Sequence, residues 1–379
     1  MHPISNIHYS HLNSATGILE QYDGSIPFAH FVKNYFSQHK KFGSRDRKQI
    51  GKLCYAFFRL GKSFPEVRVK ERILLALKYV KEPVDLKWQE IINESHLPGS
   101  APENIFPWKN ELSEGVDPTA FEASFALQPD LFLRIRPGHE KMVLKKLESS
   151  KIDFVSKGSS LRLATGAKID DLLQLNKEVV VQDLSSQKIA KFLQLVKNSF
   201  TPGRVISVYD CCAASGGKSI LAQDELKQIS LTVSDIRPSI IHNLQKRFLQ
   251  ADIKNYRAFV QDITRKHQPV EQYDLVIADV PCTGSGAWAR TPEQLYFFNE
   301  TKIAAYADLQ KRIVQNLVKT VKPGGFLLYV TCSVFKRENE GQVANLEKSG
   351  FALIHQEIIT GYKEKADSMF GALMKRPEG

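Results

Sequence analysis

Apolar residues recur every three or four positions in the first third of the chain. They do so across residues 28–36, 50–58 and 73–80, each time with polar residues between them. This period is typical of amphipathic helices that bury one face. We therefore predict three helices here, with their apolar stripes in a core and Ser44 as the N-cap of the second.

The period changes after a stretch rich in Pro and Gly, residues 101–117, which we interpret as a linker. Runs typical of strands and helices then follow in the order β-α-β-β-α-β. The strands fall at 131–136, 152–156, 160–164 and 178–182, and the helices at 140–149 and 169–175. This order predicts a small ferredoxin-like α+β module.

From about residue 185, apolar strand-like runs alternate with helical stretches. The strands fall at 205–210, 231–235, 258–261, 275–279 and 326–330, and two of the helices at 238–250 and 303–321. Such alternation is typical of a doubly wound α/β sheet. We predict three domains: a helical one at 1–125, the small module at 126–183 and the α/β domain at 184–379.

The composition is that of a globular protein, with 42% hydrophobic and 25% charged residues among 379. No apolar run is long enough to span a membrane, and the first residues lack the basic and apolar regions of a secretory signal. The five cysteines are odd in number and lack zinc-ligand spacing, so we expect no metal and a reducing cytoplasm. We also expect a monomer.

The formal net charge is +11, and much of the excess lies between residues 33 and 72. That segment holds twelve Lys and Arg, Arg45, Arg47 and Lys48 among them, against three acidic residues. Such a density favours a surface that contacts nucleic-acid phosphates, although a merely solvated helix face is the alternative.

Four predicted strands end in, or just before, a reactive side chain: Asp210, Asp235, Asp279 and Cys332. One such Asp is commonly only a helix cap, but ligands of doubly wound sheets bind beyond these strand ends. Together the four side chains therefore predict an active site at this edge.

The first of these strands runs into CAASGGK at 212–218, small residues that allow a ligand close to the backbone and a helix N-terminus. A phosphate-binding P-loop fits Gly217, Lys218 and Ser219 but needs Gly where Cys212 stands. S-adenosylmethionine is the other candidate ligand. Its ribose requires a carboxylate at the next strand end, where Asp235 lies.

Two further segments carry cysteines after strands: DVPCTGSG at 279–286 with Cys282, and YVTCSV at 329–334 with Cys332. A buried cysteine is usually inert, as we expect for Cys54 and Cys211. Two thiols beside a predicted cofactor turn favour a catalytic role instead.

These motifs resemble those of the RNA cytosine-5 methyltransferases, most closely the 16S rRNA methyltransferase B type (RsmB, Sun or Fmu). The matching segments are CAASGGK, SDIRPSII at 234–241, QDIT at 261–264, DVPCTGSG and YVTCSVFKRENE at 329–340. The likeness extends from about residue 131 to the end and is weaker before residue 125, where SRDRKQIGKLCYAFFRL is similar to the family's NusB-like helical domain. Ser215 stands where the family usually has Pro.

The resemblance implies a class I methyltransferase fold and a role for each motif. Cys332 would attack C6 of a cytosine, Cys282 would remove the C5 proton and release product, and Asp279 would bind the base and face the cofactor. S-adenosylmethionine would be bound by the loop, by three carboxylates and by a nearby arginine: Cys212, Ala213, Ala214, Ser215, Gly216, Gly217, Lys218, Asp235, Arg237, Asp262 and Asp279.

The implied substrate is a single-stranded or loop cytosine of RNA, since a base must leave its stack to reach the thiols. Small-subunit rRNA is our first choice and tRNA the alternative. A non-catalytic RNA-binding protein and a P-loop NTPase are the other classes considered. Trp288 and Arg290 either contact the target nucleotide or simply pack.

Overall fold

The computed structural model of this chain describes residues 3–80, 84–265 and 271–378. Residues 1 and 379, the ends of the first and last predicted domains, lie outside them. The fold divides into two compact units. One comprises Met1–Asn110, Asp117–Gln128 and Trp288–Asn299, and the other Glu111–Val116, Pro129–Ala287 and Glu300–Gly379. The three predicted domain boundaries stay a prediction.

The N-terminal part is helical, as the period of its apolar residues predicts. Its helices are α1 (Pro3–Gln21), α2 (Phe28–Gln38), α3 (Ser44–Arg59), α4 (Val69–Tyr79), α5 (Leu86–Glu94) and α6 (Pro118–Ser124). The predicted stripes lie in one core around the buried side chains of Phe28, Ile50, Phe57 and Ile73. The cap prediction was one residue off. Gly43 caps α3, and its N–H donates to the Asp46 carboxylate over 2.9 Å.

A small antiparallel sheet follows, in the strand order β2-β3-β1-β4. Its elements are β1 (Leu131–Ile135), α7 (Glu140–Glu148), β2 (Phe154–Lys157), β3 (Ser160–Leu163) and β4 (Val179–Val181). The helix predicted at 169–175 is wrong. Only one turn forms there, in which the N–H groups of Leu172 and Leu173 share the Ile169 carbonyl, and Asn176 then takes a positive φ of 67°. The strand order is that expected of the predicted ferredoxin-like module, but its second helix is missing.

The remaining elements form the predicted α/β part. In chain order they are α8 (Leu184–Lys188), α9 (Ala190–Asn198), β5 (Ile206–Asp210), α10 (Gly217–Leu226), β6 (Ile229–Asp235), α11 (Pro238–Gln250), β7 (Tyr256–Val260), β8 (Tyr273–Asp279), α12 (Pro292–Phe297), α13 (Thr301–Leu317), β9 (Val321–Thr331), α14 (Glu340–Lys348), β10 (Ala352–Ile359) and β11 (Met369–Lys375). Of these, α12 belongs to the first unit.

The large sheet has the order β10-β11-β9-β8-β5-β6-β7, in which β5 to β9 are parallel. At one edge, β11 pairs antiparallel with β9, and β10 pairs antiparallel with β11. Two apolar cores contain residues of this sheet. The helix predicted at 303–321 ends earlier, because Val321 pairs with Tyr273 as the start of β9. The strand β10 was not predicted.

The chain direction reverses across the sheet between β5 and β8. From β5 the chain moves outward to β6 and β7, then returns to β8 on the other side of β5. Ligands of doubly wound sheets bind in the crevice that such a switch creates beyond the carboxyl ends of the strands. Within the described ranges, no helix is long and apolar enough to cross a membrane.

Candidate active site

The four reactive side chains predicted at strand ends do meet at one edge of the large sheet. Asp210 ends β5, Asp235 ends β6, Asp279 ends β8 and Cys332 follows β9 directly. Since these four strands are parallel neighbours, their carboxyl ends share one edge on both sides of the switch. The four side chains therefore share the edge at which we predict the active site, and their role there stays a prediction.

The loop after β5 turns sharply into α10. Gly216 caps that helix with a φ of +81°, and a Cβ there would lie 2.5 Å from the Phe248 ring. Glycine is therefore required at 216 for the turn and for packing. At Gly217, by contrast, the nearest atom to an added Cβ is 3.8 Å away, on Arg247. The backbone at the start of α10 thus stays open to a ligand.

Asp235 faces this loop as an ionised acceptor. Its carboxylate accepts from the Ala214 N–H (3.2 Å) and from the N–H and Nε of Arg237 (both 3.0 Å). Burial would raise the pKa of Asp235, but the hydrogen bonds from Arg237 and Ala214 outweigh it and hold the pKa below its ordinary value. The arrangement leaves a negative charge beside the loop amides.

Lys218 is buried and already paired. Its Nζ donates to the Ser186 hydroxyl (2.8 Å) and lies 3.1 Å from the Asp279 carboxylate, which is 30% exposed. A P-loop lysine must reach phosphate oxygens, so this pairing disfavours the P-loop alternative. Lys218 instead holds Asp279 in place at the end of β8.

Asp262 follows β7 and lies next to the Asp235 strand end, because the Gln261 N–H donates to the Asp235 carbonyl over 3.1 Å. Its carboxylate accepts from the hydroxyl (2.6 Å) and N–H (3.0 Å) of Thr264. These two hydrogen bonds lower the pKa of Asp262. It is thus a second ionised carboxylate at this edge of the sheet.

Asp210 is fully buried at the centre of the switch. The Ser219 hydroxyl donates to its Oδ2 over 2.6 Å, while Oδ1 has no hydrogen-bond partner among the described residues. Burial raises the pKa of Asp210 to about 7, and the charge of Asp279 adds to the increase. The strand-end pattern indicated Asp210, but no role for this residue followed from its motif.

The two predicted catalytic cysteines are in contact. The sulfur atoms of Cys282 and Cys332 lie 3.2 Å apart, and both residues are partly exposed. The hydrogen bond to Cys332 and burial raise the pKa of the Cys282 thiol well above its ordinary value. Cys54 and Cys211 are buried, as expected of inert cysteines.

The residues beside these thiols were missed by the sequence analysis. Glu338 is fully buried and accepts hydrogen bonds from Thr283, which follows Cys282, and from Ser333, which follows Cys332. No local pattern could have revealed the hydrogen bonds between Glu338 and Thr283, since the two residues are 55 residues apart. The only signal was the position of Glu338 shortly after the Cys332 motif.

For Trp288 the structure decides between the two alternatives. It lies in the first unit, fully buried, with its ring against those of Trp108, Phe106 and Phe298. Trp288 is therefore a packing residue. For Arg290, in the same unit, the alternatives stay open.

Two of the twelve basic residues of the N-terminal segment are core residues. Arg59 is 3% exposed and donates to the carbonyls of Phe125, Leu127 and Ala289, and Arg72 is 2% exposed and donates to the carbonyls of Gly61, Ser63 and Phe64. Neither side chain can contact phosphate. Arg45, Arg47 and Lys48 are exposed, as a binding surface requires.

In the described parts of the chain, no group of three or more His, Cys, Asp or Glu is placed to hold a metal ion.

Comparison with known proteins identifies the part of the chain that carries this site. Residues 199–369 match the family described as 16S rRNA methyltransferase RsmB/F. The chain is 29% identical over 241 residues to ribosomal RNA small subunit methyltransferase B of Xylella fastidiosa, covering 62% of this chain and 54% of that protein. It is 33% identical over 216 residues to the Salmonella arizonae protein of the same name, covering 52% and 47%. The chain thus spans about half the length of these relatives.

Solved structures share the fold at lower identity. PH0851 superposes with a TM-score of 0.73 at 18% identity, over 99% of both chains. NSun6 from Pyrococcus horikoshii with SFG gives a TM-score of 0.59 at 13% identity, over 69% of this chain and 94% of that one. The match over residues 199–369 confirms the resemblance to the 16S rRNA methyltransferases that the motifs indicate.

Proposed function

We propose that this chain, whose residues 199–369 match the family described as 16S rRNA methyltransferase RsmB/F, transfers a methyl group from S-adenosylmethionine to C5 of a cytosine in RNA. One observation supports this chemistry above all. Two thiols lie 3.2 Å apart at the strand edge that also carries the open loop and its carboxylates. One thiol can add to the base while the other handles a proton.

The residues at this edge fit S-adenosylmethionine. Asp235, kept ionised beside the Ala214 N–H, can accept hydrogen bonds from ribose hydroxyls, and Asp262 can accept from an adenine amino group. Where the loop leaves β5, Oδ1 of Asp210 is a buried acceptor that lacks a hydrogen-bond partner among the described residues. The residues we assign to the cofactor are Cys212, Ala213, Ala214, Ser215, Gly216, Gly217, Lys218, Asp235, Arg237, Asp262 and Asp279. When bound, the cofactor supplies an electrophilic methyl group.

Cytosine C5 is a poor nucleophile until a nucleophile adds to C6 and converts the ring into an enamine. We assign the addition to Cys332: its thiolate forms the S–C6 bond, and the ring electrons move to C5, which can then take the methyl group. Loss of the C5 proton pushes the electrons back and breaks the S–C6 bond, which regenerates the Cys332 thiolate. Asp279 would hold the base by its amino or N3 edge.

The contact between the two thiols suggests how they divide these tasks. Because the pKa of Cys282 is raised by its hydrogen bond to Cys332, Cys282 is the thiol that keeps its proton before the reaction. Once Cys332 is bonded to C6, it no longer forms that hydrogen bond. The largest cause of the raised pKa is then removed, so the partly exposed Cys282 can lose its own proton to solvent and, as a thiolate, accept the C5 proton.

The RNA would be held by the exposed basic residues of the N-terminal helices, which we assign to a NusB-like domain, and by the small sheet, which we assign to a ferredoxin-like module. We propose small-subunit rRNA as the substrate, since the relatives carry that name. The five free cysteines fit the reducing cytoplasm that we predict.

Release of tritium from RNA labelled at cytosine C5 tests the proposal, because only chemistry at C5 expels that hydrogen. The purified chain is incubated with S-adenosylmethionine and either small-subunit rRNA or tRNA carrying the label. We expect release from rRNA that depends on the cofactor. Methyl incorporation without tritium release would refute the C5 assignment, and release from tRNA alone would refute the choice of rRNA.

Calorimetry separates the other two classes. A methyltransferase binds S-adenosylmethionine and not ATP, whereas a P-loop NTPase does the reverse. An RNA-binding protein without catalytic function would bind RNA and transfer nothing. Binding of ATP and not S-adenosylmethionine, or binding of RNA without methyl transfer, would refute the proposed reaction.

A further inference from the structure

A single buried carboxyl group connects the two segments that carry the thiols. Glu338 is fully buried, and its Oε1 accepts from the hydroxyls of Thr283 (2.6 Å) and Ser333 (2.7 Å). Its Oε2 accepts from the Thr283 N–H (2.9 Å) and from Nε2 of Gln310 (3.0 Å). Thr283 and Ser333 each follow one of the cysteines directly. The carboxyl group thus fixes both segments one residue away from the sulfur atoms.

The carboxyl group is itself held from two sides. The Tyr329 hydroxyl donates to the Glu338 carbonyl over 2.6 Å, which anchors its backbone to β9. Gln310 on α13 donates both to Glu338 and to the Pro281 carbonyl (2.9 Å), so it also fixes the residue before Cys282. Because Glu338 and Gln310 are buried and hydrogen-bonded to each other, each side chain is restricted to one arrangement.

We propose that Glu338 is a positioning residue that sets the separation of the Cys282 and Cys332 sulfur atoms, and this role in catalysis rests on the function proposed above. Glu338 does not touch the reacting atoms. It acts through the backbone and hydroxyl of Thr283 and through the hydroxyl of Ser333.

The donors around Glu338 predict which substitution preserves this arrangement. The two donors at Oε2 are N–H groups that can only donate, so an acceptor is required there. The two at Oε1 are hydroxyls, which can also accept. A glutamine can therefore place its carbonyl oxygen at Oε2 and its amide nitrogen at Oε1. An alanine leaves the Thr283 N–H without its acceptor and cuts the connection between the segments.

Capture of phenylarsine oxide measures the separation without RNA or cofactor. The reagent forms two As–S bonds with a pair of neighbouring thiols and releases its oxygen, with the two thiol protons, as water. All proteins in this assay carry Cys212→Ser, because the sulfur atoms of Cys211 and Cys212 lie 3.9 Å apart and form a second close pair. A Cys282→Ser variant defines the background, and intact mass reports the product.

We expect capture by the parent chain and by Glu338→Gln to agree within about twofold. In Glu338→Ala it should fall by about tenfold or more, because the second As–S bond depends on the effective concentration of the other thiol. Methyl transfer, measured with native Cys212, should fall by about 10²-fold in Glu338→Ala, since a displacement of about 1 Å costs that much, and should recover in Glu338→Gln.

Glu178→Ala is the matched control. Glu178 is another buried carboxyl group, 3% exposed, that accepts from Lys146 and from the Gln174 N–H far from the thiols in sequence. Its loss should leave arsenical capture at the parent level. If Glu338→Ala does not melt cooperatively, Ser333→Ala replaces it. That variant removes one hydrogen bond on the Cys332 side and should reduce capture less.

Parent-level capture in Glu338→Ala, or in Ser333→Ala if that variant is used, would overturn the proposal. So would a Glu338→Gln variant that loses capture as fully as Glu338→Ala, because the negative charge and not the hydrogen-bond geometry would then matter. Capture that follows the expected order in a chain that methylates no RNA would refute the proposed function and support the positioning by Glu338.

Discussion

The Cys282 and Cys332 sulfur atoms lie 3.2 Å apart, although 50 residues separate them in the chain. They come from loops after adjacent parallel strands, β8 and β9, whose ladder pairs Asp279 with Val330. This register brings the two motifs together. Because the two thiols lie in one site, single substitutions can show which of them performs each step.

We predict that the two single alanine variants at these positions differ in kind. Cys332→Ala should abolish both methyl transfer and any covalent protein–RNA adduct. Cys282→Ala should still form the adduct but release it slowly, because the step that expels Cys332 needs the C5 proton removed. A denaturing gel with labelled RNA and S-adenosylmethionine should show a slow band for Cys282→Ala only. The opposite pattern would place the nucleophile at Cys282.

Asp235→Ala should weaken S-adenosylmethionine binding by about 1.5–3 kcal/mol, the range for a hydrogen bond to a charged group. Calorimetry measures this directly, and RNA affinity should barely change. Asp252→Ala is the control, since this exposed carboxylate is 2.8 Å from Lys254 and far from the loop in sequence. Unchanged cofactor affinity in Asp235→Ala would show that the ribose site lies elsewhere.

The Ser215 position, where the family usually has Pro, is held by Arg247. Its Nη1 donates to the Ser215 hydroxyl (2.9 Å) and carbonyl (3.2 Å), and its Nε donates to Asn176 (2.7 Å). Arg247→Ala should therefore loosen the loop and weaken S-adenosylmethionine binding by about 1 kcal/mol. Ser215→Ala, which keeps the bond to the carbonyl, should cost less. Equal affinities in calorimetry for both variants and the parent would disprove a stiffening role.

Reversing Arg45, Arg47 and Lys48 to Glu should weaken RNA binding and flatten its salt dependence, because fewer counterions are then released. Cofactor affinity should stay the same. The control reverses Lys246, Lys319 and Lys348, which are exposed in the other unit and give the same change in charge. If the first triple variant keeps the parent affinity and salt slope in a binding titration, that helix face is only solvated.

The buried Asp210 predicts a loss of stability as pH rises. Its pKa of about 7 in the folded chain exceeds the ordinary value, so between about pH 4 and 7 the folded state binds more protons than the unfolded state. The free energy of unfolding therefore falls as pH rises through this window and stays lower above it. Asp210→Asn should raise the Tm above pH 7 and reduce its decline between about pH 5 and 7. A melting series across this range that matches the parent at every pH would contradict the shift.

Local patterns determined most of the elements and the sheet edge at which we predict the site. The apolar periods around Phe57 and Val208 depend on neighbours in sequence, which is why the helical N-terminal part and most strands of the large sheet were predictable. The motifs with Asp235, Asp279 and Cys332 lie at strand ends, and parallel pairing brings such ends together whatever the rest of the chain does.

Burial and long-range hydrogen bonding were decided only by the tertiary structure. Arg59 and Trp288 belong to segments that look exposed or functional in sequence, yet they are buried against partners far away in the chain. The same holds for Glu338, whose four donors come from three separate segments. A polar group leaves water only where folding supplies its hydrogen-bond partners, and residue spacing along the chain does not record where those partners will lie.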